Sequence, residues 1–166
     1  MATLSANYTA AASLTITLTS LADGAYRQSA EVTNAANLYL DAHLGGSIQA
    51  GTVGADGSII IYGYGSYDAT NHSGGVGTTD AGITWGTTGN TSIFGYRQLV
   101  LLAAIQTDST DDDNDLYWGP VSVASAFGGV LPTKWGIVVL NNTGAALHAT
   151  GTNNEVQFMG IKYDSA

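Results

Sequence analysis

Cationic side chains are scarce in this chain. Of its 166 residues only Arg27, Arg97, Lys134 and Lys162 are basic, against 13 carboxylates, and the formal net charge is −9. A nucleic-acid binder needs clustered Lys and Arg to displace counterions from phosphates, and four scattered cations form no such surface. An anionic membrane is excluded as a partner on the same ground. Cysteine is missing altogether. That rules out thiolate catalysis and Cys-ligated zinc, but says nothing about redox compartment. Apolar runs are short: the longest, residues 99–105, falls far below the about 20 residues of a membrane-spanning helix. The N-terminus, Met1-Ala2-Thr3-Leu4-Ser5-Ala6-Asn7, has neither a basic n-region nor an apolar h-region, so a soluble chain without a secretory signal is expected.

What is present is a succession of short β-branched runs bounded by Gly, Asn and Asp, with 22 glycines in all. A chain of this length buries roughly 70% of its unfolded surface and needs no disulfide or metal staple. Residues 1–12 have no strong period and read as an N-terminal arm; residues 13–166 read as one domain. Residues 13–19 alternate, with Leu14, Ile16 and Leu18 on one face, as in a half-buried strand. Residues 30–33 suggest a short strand. Residues 37–45 alternate again, which places Leu38, Leu40, Ala42 and Leu44 toward the core and Tyr39, Asp41 and His43 outward. Asp56-Gly57 marks a turn before a central strand at 59–64.

Residues 65–82 read as a long polar loop, expected to be exposed or to lie between subunits. Short strand candidates follow at 83–85 and 92–94. Residues 96–106 suit a strand buried on both faces. An acidic loop spans 108–115, a strand 116–118, and a short helix 121–127 between Pro120 and Gly128. The clearest core strand is 135–140, and 146–150 with 155–163 suggest a final hairpin. Eight or nine strands at this spacing predict an all-β, single-domain antiparallel β-sandwich of jelly-roll type, with one short helix near 120–127.

Candidate sites are few. Asp111, Asp113 and Asp115 match the first three ligand positions of an EF-hand loop, but the next position should be Gly and is Leu116, and the twelfth should be Glu and is Ser122. With the match broken, the run Asp108, Asp111, Asp112, Asp113 and Asp115 reads as a solvated loop, and no metal or other cofactor is assigned. Asp41 and His43 project from one face as half of a triad, yet no Gly-x-Ser-x-Gly elbow accompanies them; a solvent-facing pair is the better reading. His72 and His148 stand too far apart in sequence to suggest ligand spacing. Tyr62, Tyr64, Tyr67, Trp85 and Trp118 would form a sugar-stacking platform if the fold gathered them, whereas core packing accounts for most such residues. The Asn-x-Ser/Thr matches at Asn7, Asn71, Asn90 and Asn141 are what a chain rich in these residues produces by chance. No catalytic residue is assigned, and the chain does not read as an enzyme.

Two stretches carry a resemblance. Residues 119–132 read Gly-Pro-Val-Ser-Val-Ala-Ser-Ala-Phe-Gly-Gly-Val-Leu-Pro and continue through 134–144 as Lys-Trp-Gly-Ile-Val-Val-Leu-Asn-Asn-Thr-Gly; residues 31–42 read Glu-Val-Thr-Asn-Ala-Ala-Asn-Leu-Tyr-Leu-Asp-Ala. Together they resemble small β-sandwich structural proteins of tailed bacteriophages, most like capsid decoration (cement) proteins. The resemblance implies a virion component on the outer capsid surface, commonly a homotrimer, with the major capsid protein as partner. The segment Thr3, Leu4, Ser5, Ala6, Asn7 and Tyr8 is then the expected capsid-contacting arm. The alternative expectation is a carbohydrate-binding module of a phage tail or fibre, using the aromatic platform.

Overall fold

The computed structural model describes residues 4–54, 56–66, 68, 70–85, 95–150 and 153–165. Eleven strands are described: β1 (Leu4–Tyr8), β2 (Ala12–Ser13), β3 (Tyr26–Gln28), β4 (Val32–Thr33), β5 (Asp41–Gln49), β6 (Gly57–Ser66), β7 (Ala81–Ile83), β8 (Val100–Thr107), β9 (Asp115–Ser122), β10 (Lys134–Asn142) and β11 (Glu155–Ser165). They form two antiparallel sheets. Sheet I runs β1-β11-β5-β9, with β2 also on β11; sheet II runs β7-β3-β10-β6-β8, with β4 also on β10. With β1/β2 and β3/β4 each counted as one strand and β7 set aside as an insertion, the chain enters the sheets in the order I, II, I, II, II, I, II, I. Two four-stranded sheets wound this way are a jelly roll.

The core lies where alternating inward residues of both sheets meet. Leu44 and Ile48 of β5, Ile59 and Ile61 of β6, and Trp135, Ile137 and Val139 of β10 are all fully buried. Phe158 of β11 meets the Trp135 ring edge-on at 5.2 Å, so the two sheets are joined by an aromatic contact as well as by aliphatic packing. A second cluster forms on the outer side of sheet II, where Tyr64 and Val138 pack with Val76 and Leu99. These last two belong to the connection between β6 and β8, which covers that face.

Several expectations require correction. Residues 4–8 of the expected arm form β1, paired with β11 from Leu4↔Ser165 to Tyr8↔Ile161. In the stretch 13–19, Leu14 and Leu18 are buried as the alternation required, but only Ser13 lies in a ladder strand. Leu14 N–H donates to the Val156 carbonyl and Thr15 accepts from Ala30 N–H, which leaves an extended crossing between the sheets. Leu38 and Leu40 do not enter the core: they are 73% and 45% exposed. Asn34 turns the chain here, its side chain bonded to both Tyr39 N–H and the Tyr39 carbonyl, and β5 starts only at Asp41.

The expected helix at 121–127 yields its first residues to β9; a single 3-10 turn, Ala124–Phe127, follows and ends on Gly128 at φ 77°. Left-handed backbone at that cap suits glycine. Residues 96–106 do supply a strand, but β8 is an edge of sheet II and Leu101 on it is 59% exposed. Residues 146–150 form no strand, so β11 pairs with β5 and β1 instead of closing a hairpin. The candidate at 92–94 lies outside the described residues.

The 65–82 segment is tied down rather than free. Gly65 N–H donates to Ser73 Oγ, Gly77 N–H to Gln28 Oε1, and Gln28 Nε2 to the Thr79 carbonyl. Arg27 Nε donates to Asp80 at 2.5 Å and Thr17 Oγ1 to the same carboxylate at 2.6 Å. Sheet II is thereby covered on its outer side.

Candidate functional site

The ladder registers sort the loops to two ends of the sandwich. One end holds the connection 34–40, the connection 123–133, the start of β10 and the last residues of β11. The two connections touch, Leu131 N–H donating to the Leu40 carbonyl at 3.3 Å, and Leu40 N–H reaches the Ile161 carbonyl at 2.7 Å. Seven large hydrophobic residues are prominently exposed among the described residues; five of them, Tyr8, Leu38, Leu40, Val130 and Tyr163, gather here. Beside them Phe127, Val130 and Pro132 line a hollow of about 450 Å³. Lys134 and Lys162 belong to the same end. Isolated exposed apolar residues mean little, but a contiguous set is an interaction signal.

The opposite end is acidic. Asp23, Asp56, Asp108, Asp111, Asp112, Asp113, Asp115 and Glu155 make eight of the 13 carboxylates, and all lie at or beyond the ladder rows Gly57↔Thr107, Gln49↔Asp115 and Ser47↔Glu155, or beside Gly144. Two carboxylates of the aspartate loop, Asp108 and Asp111, bond within it, and Asp112 bonds to a neighbouring segment. Asp108 Oδ1 accepts from Thr110 N–H and Oγ1, Asp111 Oδ2 from Asp108 N–H, and Asp112 Oδ1 from Val53 N–H. Hydrogen bonds from Thr110 hold the Asp108 carboxyl below its usual range. Among the described residues, no three His, Asp or Glu side chains gather as a metal site.

Asp41, His43 and Ser122 come together on the outer face of sheet I, since His43 pairs with Ser122. The geometry is not that of a triad. Asp41 Oδ1 accepts from Ala42 and Ala124 N–H at 2.7 and 2.8 Å, and its Oδ2 lies 3.8 Å from His43 Nε2. Ser122 Oγ accepts from Ser125 N–H, and the His43 ring packs on Tyr8 at 5.8 Å. The carboxylate thus fastens the start of the 3-10 turn.

The aromatic platform is gathered only in part: Tyr62, Tyr64 and Trp85 share the cluster outside sheet II, and Trp118 stands apart. Tyr64 is fully buried, its hydroxyl donating to the Ser29 carbonyl at 3.0 Å; burial pushes its phenol up to about 12. Tyr62 and Trp85 lie in the cluster outside sheet II, where Trp85 meets Tyr26 edge-on at 5.8 Å. Trp118 is on sheet I, across the sandwich. Tyr67 and Thr3 fall outside the described residues. Of the arm, Ser5, Ala6, Asn7 and Tyr8 form the sheet I edge beside the apolar end, with Leu4 preceding them.

Sequence reasoning missed Leu38, Leu40, Val130 and Tyr163 as surface residues. Asn34-Ala35-Ala36-Asn37 and Gly128-Gly129 were the signals available, as turns that carry the next apolar residues outward. No protein-family model, curated protein or solved structure matches the chain.

Proposed function

We propose that this chain is a non-enzymatic virion structural protein: a decoration protein that sits as a homotrimer on the outer capsid surface of a tailed phage and braces contacts between capsomers of the major capsid protein. The observation that carries this reading is the polarity of the sandwich. One end presents Leu38, Leu40, Val130, Tyr8 and Tyr163; the other presents eight carboxylates. A protein that stands on a shell needs an apolar foot, and an acidic crown keeps neighbouring particles apart. Strand β1, at the end of the sheet I order, lies beside that foot. The jelly-roll frame and the resemblance of residues 31–42 and 119–144 point the same way.

Contacts of this kind bury on the order of 800 Å² per partner and need no pocket. Co-sedimentation with expanded and unexpanded shells tests the reading. Saturable binding to expanded shells is expected, with a copy number that is a multiple of three. Failure to bind either form overturns it.

A further inference from the structure

We propose that the groove across the β5–β9 irregularity on the outer face of sheet I binds a neutral saccharide. The ladder between these strands slips between Leu44 and Gly46. Only glycine fits the slip: a Cβ on Gly45 would lie 2.9 Å from the Trp118 carbonyl oxygen, and one on Gly119, at φ 84°, 2.5 Å from that of Leu44. The result is a floor of bare backbone.

Two adjoining hollows of about 290 and 400 Å³ open above it and share Gly46, Trp118, Gly119 and Gln157. Their size suits a small ligand rather than a flat protein surface. Their chemistry is two-sided. His43, Pro120 and Met159 line one half; Ser47, Glu155 and Gln157 line the other. Tyr117 stands at the rim, 79% exposed.

A sugar ring has the matching character, with an apolar C–H face and a polar edge. The C–H face would lie on Pro120, Met159 and the Tyr117 ring. Gln157 Nε2 donates to Glu155 Oε1, which orients the pair and leaves Glu155 Oε2 and Gln157 Oε1 to accept hydroxyl protons. Hydrogen bonds to the carboxylate are the stronger kind. The same carboxylate, in a chain of net charge −9, repels anionic sugars, so the ligand is a neutral one. The groove lies on the outer face of sheet I, and its His43 border meets Tyr8 of the apolar end, but the inference does not depend on docking at that end.

Saturation-transfer NMR on the full chain decides it. The probes are the methyl glycosides of glucose, galactose, mannose and N-acetylglucosamine, with sialyllactose as the anionic probe. At least one neutral probe is expected to bind with a millimolar or lower Kd. Tyr117→Ala, a change at an exposed position, and Glu155→Gln should each weaken it by roughly tenfold, about 1.4 kcal/mol. No binding by any neutral probe, binding undiminished in both variants, or a preference for sialyllactose would each overturn the proposal.

Discussion

Nε2 of His72 lies 3.0 Å from Oε2 of Glu31, and the imidazole is only 2% exposed. The other carboxylate oxygen of Glu31 meets Lys134 Nζ at 2.6 Å. One carboxylate therefore joins the β6–β7 segment to β10, with Tyr64 edge-on against the same imidazole at 5.7 Å. Burial raises the pKa of Glu31, but hydrogen bonds and charge from Lys134 and His72 outweigh it and hold it below the ordinary 4.5. Asp80 behaves alike: burial raises it, and bonds from Arg27 and Thr17 more than compensate.

A depressed carboxylate stabilises the fold above its unfolded pKa and loses that contribution as pH falls through the folded value. Melting temperature should thus be level near neutrality and drop below about pH 4. Glu31→Gln should cost about 1–3 kcal/mol at neutral pH and make the acid drop shallower. Thermal melts of both proteins across the acid range check it; identical slopes would refute the assignment.

Gly136 and Tyr64 depend on each other. A Cβ at Gly136 would collide with the Tyr64 ring and hydroxyl, and Tyr64 has no exposed surface through which to yield. Gly136→Ala should destabilise by about 1–3 kcal/mol through overpacking. Tyr64→Phe should cost about 1 kcal/mol, because the Ser29 carbonyl loses its donor. Combined, the two should cost less than their sum, since Phe removes one of the clashing atoms. Urea denaturation of the two singles and the double measures the coupling, and strict additivity would refute the dependence of the two residues on each other.

The strands legible in the sequence were those whose burial pattern is local. Residues 59–64 and 135–140 announced β6 and β10 because their partners in sheet II flank them and both faces are covered. Leu38 and Leu40 misled because alternation records which residues share a face, not whether a strand exists; the Asn34 side chain decided that. The hairpin at 146–150 failed for a related reason. His148 N–H donates to the Gln49 carbonyl, a contact set by a tertiary neighbour, while its ring accepts locally from Thr150 N–H. The candidate apolar end was illegible because it is assembled from four segments far apart in sequence. The covering of sheet II was equally hidden, since residues 65–82 carry few apolar side chains and dock through polar bonds.

Asp112 carries a prediction about the acidic loop. Its Oδ1 accepts from Val53 N–H at 2.6 Å, and Val53 is 6% exposed. Asp112→Ala leaves that amide without a partner and should cost about 1–2 kcal/mol, a melting shift of about 2–8 °C. Calcium should leave the melting temperature of the unaltered chain where it is, because binding to the native state alone would raise it. A calorimetric scan with calcium and with chelator separates the cases; a calcium-dependent rise would make the loop an ion site.

Leu38 and Val130 allow the proposed docking role of the apolar end to be tested apart from folding. At 73% and 69% exposure they contribute little to the core, so Leu38→Lys and Val130→Lys should each change stability by no more than about 0.5 kcal/mol. On the docked protein each substitution would bury a charge without a partner, which is costly, so shell binding should fall by at least roughly tenfold. Apolar contact also sets the salt dependence: binding that rests on Leu38, Leu40, Val130, Tyr8 and Tyr163 should persist in about 1 M salt, where charge pairing between exposed groups is screened within about 3 Å. Co-sedimentation with expanded shells at low and high salt, using the unaltered protein and both lysine variants with melting curves in parallel, gives the readout. Lysine variants that fold and bind normally would move the contact to another face, with β1 as the next surface to alter.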